Sequence, residues 1–404
     1  MLKIGIIGAG AAGFFSAIHA AEGGAKVTIL EKTSKVLAKV KISGGGRCNV
    51  THAAFENPQL IKNYPRGEKF LKKVFGHFSV KDTVDWFESR GVKLKVEQDG
   101  RMFPVSDDSQ SIIDALQQAA RALQVETIFN FPVIEIRKVG DGFQVISEKK
   151  TLEFDRLIVC IGGFPKIQGF DFLQKLGHTI IPPVPSLFTF NTPNEPIKKL
   201  MGISVPDAFV RLEGTKLAYR GPLLITHWGV SGPAVLKLSA FGAQWLFDQD
   251  YHANAHIRWV HDLSEEETLD KLNRFKHEHP KKKIMGNPLF GIPTRLWEHL
   301  AEKSDIESQF LWYEIPKKQL NKLVQNLFCY IVAIEGKTGF KEEFVTAGGV
   351  DLNEVHPDTM ESKIVKNLFF SGEVVNIDGI TGGFNFQAAW STGYLAGKSS
   401  KINA

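Results

Sequence analysis

The chain has 404 residues, 43% of them hydrophobic and 23% charged, which excludes both a disordered chain and a membrane-embedded bundle. Its three cysteines, Cys48, Cys160 and Cys329, are widely spaced and form no CxxC pair, so neither a disulfide framework nor a zinc site is expected, and no metal. The net charge of +5 permits an anionic or nucleic-acid partner without requiring one.

Leu2 to Ile7 reads as a short buried strand. Its start at Leu2 leaves no room for a leader, so a cytoplasmic location without a membrane is the expectation. Gly8-Ala9-Gly10-Ala11-Ala12-Gly13 follows, then an Ala-rich helix to about Glu22 and a strand from Lys26 to Leu30 that ends on Glu31. Each part has a mechanical job in holding a dinucleotide. Gly8 allows the tight turn, Gly10 leaves room for a pyrophosphate, and Gly13 lets helix and strand approach. The free N–H groups of the helix start attract phosphates. Glu31 can accept from the ribose hydroxyls of an adenosine, and it would repel a 2′-phosphate.

Thr33 to Thr51 reads as a basic, glycine-rich loop, with Lys35, Lys39 and Lys41 ahead of Ser43-Gly44-Gly45-Gly46-Arg47-Cys48-Asn49. Three successive glycines suggest backbone lying close against something flat or charged. Helices are expected near Glu68–Phe75 and Ser79–Arg90, where Ser79 is a natural N-cap and Asp82 stands three residues on. A hairpin-like stretch from Val92 to Pro104 turns at Asp99-Gly100, and a helix runs from about Ser109 to Leu123. Strands then meander to Arg156–Ile161, closed by Gly162-Gly163. Ile181-Pro182-Pro183-Val184-Pro185 reads as a stiff linker. Ser186 to Val260 reads as a small β-unit, and Leu263 to about Leu327 as helical, with Ser264 capping three glutamates. Lys281-Lys282-Lys283 reads as a solvated turn.

The C-terminal block is a second strand, glycine loop and helix: Asn367–Phe370, Ser371-Gly372-Glu373, Asp378-Gly379, Gly382-Gly383-Phe384-Asn385, then Gln387 to about Ala396. It lacks GxGxxG spacing. It suits a carboxylate that holds a ribityl or ribose hydroxyl, and a helix N-terminus aimed at an isoalloxazine edge. No second strand-GxGxxG-helix unit stands in mid-chain. NAD(P)H, if it is the electron donor, would bind only transiently.

Taken together, Gly8–Gly13, the Ser43–Asn49 loop, Gly221-Pro222 with Thr226-His227-Trp228-Gly229 and Ser231-Gly232-Pro233, the turn at Val345–Val350, and Gly372-Glu373 with Gly382–Asn385 resemble the BaiN/RdsA-like (YhiN-like) family of bacterial FAD-dependent flavoproteins. The likeness runs from Lys3 to Gly397. Cys160-Ile161-Gly162-Gly163 varies mildly from the Ala-Thr-Gly-Gly of related flavoproteins. The resemblance implies an α/β fold: a discontinuous, glutathione-reductase-like, Rossmann-like FAD-binding domain, residues 1–185 and 346–404. The implied insertion, 186–345, holds a small β-barrel (186–262) and a helical piece (263–328). Activities associated with the family are amine oxidation, reduction of a steroid-like double bond, and reduction of ribosomal RNA uridine to dihydrouridine.

The expected FAD contacts are Gly8, Gly10, Ala11, Ala12, Gly13, Glu31, Lys32, Gly45, Gly46, Arg47, Cys48, Asn49, Gly162, Gly163, Gly372, Glu373, Gly382, Gly383 and Asn385. Arg47 can hold a pyrophosphate or an anionic substrate, or it can make a surface salt bridge. Cys48 is either a proton donor beside the flavin or a small buried thiol. His227 is a candidate acid, base or substrate anchor, and Trp228 a stacking ring, against plain packing roles for both. The Gly44–Asn49, Thr346–Gly349 and Gly382–Asn385 segments are expected to converge on the isoalloxazine, with His227-Trp228 bordering the cleft. The expected function is an FAD-dependent oxidoreductase that moves a hydride between flavin and substrate, with an RNA uridine favoured. The alternatives are a small-molecule amine or enoyl oxidoreductase and a non-catalytic flavin-dependent binding protein.

Overall fold

The structure is a computed structural model and describes residues 1–337 and 345–401. Residues 338–344 and 402–404, within the expected insertion and C-terminal segments, lie outside the described residues. In chain order, the strands of the first part that build the parallel sheet and the ladder to the last part are β1 (Lys3–Ile7), β2 (Lys26–Leu30), β3 (Glu126–Ile128), β4 (Arg156–Val159) and β5 (Ile180–Ser186); a short strand, Thr51–His52, and a hairpin, Leu94–Val96 with Arg101–Pro104, form a separate small sheet. The insertion supplies β6 (Phe190–Asn191), β7 (Ser204–Leu212), β8 (Ala218–Ile225), β9 (Gly229–Ser231), β10 (His252–Arg258) and β11 (Tyr330–Glu335). The last part supplies β12 (Val345–Val350) and β13 (Leu368–Phe370).

Five strands form one parallel sheet in the order β13-β4-β1-β2-β3. All but the polar edge strand β3 are near-continuous apolar runs because both faces are covered. Ile4, Ile6, Ile29, Leu157, Ile158, Val159, Leu368 and Phe370 are all buried. β1 is central, with β2 on one side and β4 on the other, so the chain reverses its direction of winding at the carboxyl end of β1.

The longer helices of this unit are α1 (Ala11–Ala21), α2 (Ala38–Gly46), α3 (Glu68–His77), α4 (Val80–Glu88) and α5 (Gln110–Ala122). The insertion contributes α6 (Pro233–Phe241), α7 (Ala243–Asp248), α8 (Glu265–Glu278), α9 (Thr294–Lys303) and α10 (Lys317–Phe328). The chain ends in α11 (Phe384–Ser399). α1 and α11 lie against each other through glycine. A Cβ on Gly393 would stand 3.1 Å from the Ala12 oxygen, and one on Gly397 would overlap the Ser16 oxygen. An antiparallel meander of Glu135–Val139, Gly142–Ile146 and Thr151–Phe154 packs beside β1, with the Phe154 ring against Gly5. Ser79 and Asp82 form the reciprocal capping box expected at the start of α4.

The chain divides into two compact units: Met1–Pro185 with Val345–Ala404, and Ser186–Phe344. In the second unit, six antiparallel strands run in the order β6-β9-β8-β7-β10-β11. The edges meet, since Phe190 bridges Lys337 and the Asn191 N–H donates to the Gly336 oxygen at 3.2 Å. The sheet is therefore nearly closed into a barrel. Its core (Val210, Leu212, Leu223, Ile225, Ile257, Val332) continues into Trp297, Leu300, Trp312 and Leu323 of the helical region.

Four local expectations change. Ile181–Pro185 is not a linker but part of β5, which pairs with β12, and the supposed turn at Thr346–Gly349 is that partner strand. The approach is close: a Cβ on Gly348 would meet the Pro182 oxygen at 2.7 Å. The basic loop contains helix α2, broken where Gly44 and Gly45 take left-handed φ of 58° and 70°. The β-unit also contains α6 and α7. Pro233 sits at the first turn of α6, where its missing N–H costs nothing, and Ala234, Val235 and Leu238 are its buried face. Among the described residues, no helix is long and apolar enough to cross a membrane.

Two glycine substitutions should move stability in opposite directions. Gly397→Ala forces α1 and α11 apart and should lower the unfolding free energy read from urea melts by about 1–3 kcal/mol. Gly76→Ala, on α3 with nothing within 4 Å of its Cβ, should raise it by about 0.5–1 kcal/mol.

Candidate functional site

The carboxyl ends of β1, β2, β4 and β13 lie side by side, and the chain leaves each of them in a tight turn. At β1, Gly8 has φ of +107°, and a Cβ there would stand 2.5 Å from the Cys160 oxygen. A Cβ on Gly13 would overlap the Gly8 oxygen, so the start of α1 is pressed onto the turn. Gly10 is different. It caps α1 with extended φ/ψ of −86° and −170°, is exposed, and has nothing within 4 Å of its Cβ position. The N–H groups of the first turn, Ala11 and Ala12 among them, have no intrahelical acceptor and form the positive end of the helix dipole. An open, anion-favouring recess over Gly10 is a cradle that a side chain would fill, and it fits a pyrophosphate.

Glu31, at the end of β2, is half-buried and oriented by the backbone. Its Oε2 accepts from the Ala9 N–H at 3.0 Å, and its Oε1 accepts from the Thr33 N–H and hydroxyl, both at 2.9 Å. The carboxylate is thereby fixed beside the Gly8–Gly13 turn. The Lys32 ammonium lies 4.9 Å from the centre of the Phe164 ring, next to Gly163 in sequence.

A second group forms where β4 and β13 end. Gly162 has φ of +75°, and Gly163 lies against Thr346 and the Glu373 carboxyl. Glu373 accepts from the Thr346 N–H at 3.1 Å and from the Lys39 ammonium at 2.8 Å. Gly372 donates its N–H to the Thr392 hydroxyl at 2.9 Å, and its Cβ position falls 2.8 Å from the Ala12 methyl. The turn after β13 thus touches the start of α1.

The third group joins the Ser43–Asn49 loop to the start of α11. The Asn49 amide donates to the Thr51 oxygen and accepts from the Gly383 N–H, each at 3.0 Å. A Cβ on Gly383 would meet the Thr51 backbone at 2.5 Å. Gly45 and Gly46 have nothing within 4 Å of their Cβ positions, so their backbone is free to be approached. Asn385 closes the preceding loop by bonding both the N–H and the oxygen of Gly379, at 2.8 and 2.9 Å. Beneath lies a buried network. The Thr51 and Thr83 hydroxyls donate to the Gln387 oxygen at 2.6 and 3.0 Å, and the Gln387 amide donates to Ser391 at 3.0 Å.

Several site candidates lie in environments that alter their expected roles. Arg47 is paired with Glu97 at 2.6 Å and Asp107 at 3.5 Å, and stacks 4.0 Å from the Phe103 centroid. Its charge is already met by acids of the neighbouring hairpin, which is the salt-bridge alternative. Cys48 is fully buried, with φ of +61°, and burial pushes its thiol up to about 12, against a smaller opposing effect from Ser43. His227 and Trp228 belong to the second unit, on the turn between β8 and β9. Both are exposed, with ring centroids 4.7 Å apart.

The sequence did not single out His52, Arg66 or Gln387, and placed Asp378 only in the loop before Gly382. His52 stacks on Phe384 at 4.6 Å and donates from Nδ1 to the Gly382 oxygen at 3.0 Å. Arg66 grips the fully buried Asp378 with two hydrogen bonds. Each pairing spans more than 300 residues of sequence, and no local spacing carries it. For His52, its place three residues after Asn49 was the one available signal.

A parallel sheet with an open glycine recess at its switch point, a fixed acid after β2 and a nearly closed barrel inserted between its halves defines the fold of an FAD-binding oxidoreductase. The model of the HI0933-like protein Rossmann domain matches residues 2–399. The chain belongs to the HI0933-like family. It is 30% identical to the 3-dehydro-bile acid delta(4,6)-reductase of Clostridium scindens, over 99% of each chain. It is 31% identical to the ribosomal RNA dihydrouridine synthase of Escherichia coli, over 98% of each. Among solved structures, the 3-ketosteroid-delta4-(5alpha)-dehydrogenase of Rhodococcus jostii RHA1 shares the fold, with a TM-score of 0.52 at 14% identity over 100% of this chain and 97% of that one. This is an enzyme fold, and the non-catalytic alternative has no support in it.

Gly10→Val separates folding from cofactor binding. Valine suits the extended backbone at Gly10, and its Cβ has no protein atom within 4 Å, so circular dichroism and melting should stay at wild type. Losing two charge-assisted hydrogen bonds, at about 1.5–3 kcal/mol each, should weaken FAD at least about a hundredfold, leaving the purified protein colourless. A yellow Gly10→Val protein with normal FAD content would place the cofactor elsewhere.

Proposed function

We propose that this chain is an FAD-dependent reductase whose substrate is a uridine in ribosomal RNA, reduced to dihydrouridine. Gly8, Gly10, Ala11, Ala12 and Gly13 would hold the pyrophosphate and Glu31 the adenosine ribose. Gly162, Gly163, Gly372 and Glu373 would flank the ribityl chain. Gly45, Gly46, Asn49, Gly382, Gly383 and Asn385 would supply backbone and amide contacts to the ring system. When bound, FAD supplies a hydride donor and acceptor. NAD(P)H is the proposed transient source of electrons, and the cytoplasm the proposed location.

The protein's part is position and electrostatics. The open N–H groups at the start of α1 neutralise phosphate charge. Glu373, held by Thr346 and Lys39, would accept from cofactor hydroxyls. The start of α11 would place its positive end beside the ring system and favour its anionic form. Cys48 is a packing residue in this reading. A thiol with no exposed surface and a pKa near 12 is a poor source of a proton at neutral pH.

The observation that carries the RNA reading is the full-length match to a ribosomal RNA dihydrouridine synthase. The equally long match to a bile-acid reductase favours a second reading, a small-molecule enone reductase. The two readings share one reaction type: a carbon–carbon double bond conjugated with a carbonyl takes a hydride at one carbon and a proton at the other.

Nucleoside analysis of ribosomal RNA from cells with and without the gene separates them. Loss of dihydrouridine on deletion, restored by the wild-type gene, is the expected result. Unchanged dihydrouridine overturns the RNA reading, and turnover of a 3-keto-Δ4,6 steroid by the purified protein would then support the second. In the same complementation assay, Cys48→Ala should restore dihydrouridine to within about twofold of wild type. His227→Asn with normal FAD content should lower it by about a hundredfold where His227 transfers the proton. A wild-type level would remove His227 from the chemistry.

A further inference from the structure

A cavity of about 590 Å³ opens in the first unit, at the amino ends of β4 and β13. The glycine turns described above stand at the carboxyl ends of these strands, so this cavity is a separate place on the same unit. Four cationic side chains line it, Arg137, Lys138, Lys175 and Lys366, against one carboxylate, Glu135. Glu135 accepts two hydrogen bonds from Arg137 at 2.8 Å, and these, with a weaker through-space effect of Lys175, hold its pKa down. Lys138 is held at the wall by the backbone oxygens of Asp141 and Lys366, at 2.7 and 3.1 Å. Burial, with Lys366 adding to it, lowers the Lys138 pKa, while Asp141 pulls the other way. The ammonium groups of Lys175 and Lys366 have no hydrogen-bond or ion-pair partner among the described residues. Between the charges, Ile364 is 47% exposed.

Spare positive charge around a concave surface, with an apolar side chain among the cations, suits a ligand that alternates phosphate and sugar. Lysine ammonium groups meet phosphate oxygens as point charges and need no planar match. A large RNA substrate gains most of its affinity from such contacts, remote from the reacting base and indifferent to sequence. We propose that this cavity docks the phosphodiester backbone of the RNA substrate, with Lys175 and Lys366 each meeting a phosphate. The proposal rests on the RNA reading given above.

The test uses the full-length, FAD-loaded protein and a fluorescein-labelled single-stranded RNA of about 12 nucleotides, read by anisotropy from about 50 to 200 mM salt. The double substitution K175Q/K366Q should weaken binding on the order of tenfold near 0.1 M salt. It should also flatten the plot of log affinity against log salt by about 1.4, roughly 0.7 for each lost phosphate contact. K72Q/K73Q, which removes two exposed lysines of α3, should bind as wild type does, and all three proteins should carry equal FAD. An unchanged slope and affinity in K175Q/K366Q overturns the proposal, as does a wild-type protein that fails to bind the RNA. Displacement of the RNA by inorganic phosphate, where chloride of equal ionic strength leaves it bound, would assign the cavity to free phosphate instead. Equal binding of a polyglutamate peptide, lost in the same variant, would assign it to an acidic protein. An unchanged slope combined with loss of cellular dihydrouridine on gene deletion removes this surface alone, whereas dihydrouridine that survives deletion removes the uridine reading.

Discussion

The Ser16 carbonyl oxygen stands where a side chain on Gly397 would have to be, and this closeness holds the first helix of the chain against the last. Gly393 repeats the contact one turn away, against the Ala12 oxygen. Two helices that meet through glycine bring their backbones nearer than side-chain packing allows. The consequence at the sheet is direct. α1 starts from the Gly8–Gly13 turn, and α11 starts from Gly383. With the helices fixed together, the start of α1 is held beside Gly393, and the position of the α11 N-terminus relative to it is set, although some 370 residues separate the two starts in sequence. Both ends of the chain thus build one cofactor-binding unit, and the barrel can be inserted between them without disturbing it.

That frame is stiffened by polar groups that cannot afford to lose their partners. Asp378 is fully buried, and Arg66 supplies two hydrogen bonds to it. Removing one member of such a pair leaves an uncompensated charge in the interior, at a typical cost of about 3–5 kcal/mol. Gln387 joins Thr51, Thr83 and Ser391 in a buried network, so the start of α11, the strand after the glycine loop and α4 share one set of hydrogen bonds. Asn49 adds a link to Gly383. The loop at Gly44–Asn49 therefore takes its shape from the last helix. Its open glycines, Gly45 and Gly46, are held ready by contacts on the other side of the backbone, which is how a site pays little reorganisation when a ligand arrives.

What could be read from the sequence followed from how local the cause was. The turn at Gly8–Gly13 and the acid at Glu31 are set by neighbours within one strand–turn–helix unit, and spacing alone carries them. The Ser79–Asp82 capping box is equally local. The β5–β12 ladder was not legible, because Ile181–Pro185 carries prolines that local rules assign to a linker. The partner strand, with Gly348 able to approach the Pro182 oxygen, lies more than 160 residues on. Helix α6 was missed because glycine and proline at Gly232-Pro233 look like interruptions of a strand, although proline is at home in a first helical turn. Arg47 illustrates the limit for charged residues. Its place after three glycines suggests a phosphate contact, and only the folded hairpin reveals Glu97 and Asp107 within reach. Cys48 illustrates it for thiols, since burial decides whether a cysteine is reactive and burial is a tertiary property.

The division between frame and substrate follows from the same geometry. Backbone N–H groups, glycine recesses and a strand-end carboxylate recognise what every FAD presents: phosphates, hydroxyls and a flat ring. None of them reads a substrate. Relatives named for reactions on a bile acid and on ribosomal RNA match this chain over almost its whole length at similar identity, so the shared frame does not choose between such substrates. The choice has to be made by side chains outside the glycine turns. Small enones and structured RNA differ most in charge. An RNA carries a phosphate at every nucleotide, and a steroid-like enone carries none along its ring system. A surface that recognises RNA must therefore hold cations whose charge is not already spent inside the protein. Arg47, Arg66 and Arg137 are each spent on a carboxylate. Surface cations that no carboxylate neutralises, lysines among them, would carry that distinction, and their placement rather than their number would set which substrate the enzyme can hold.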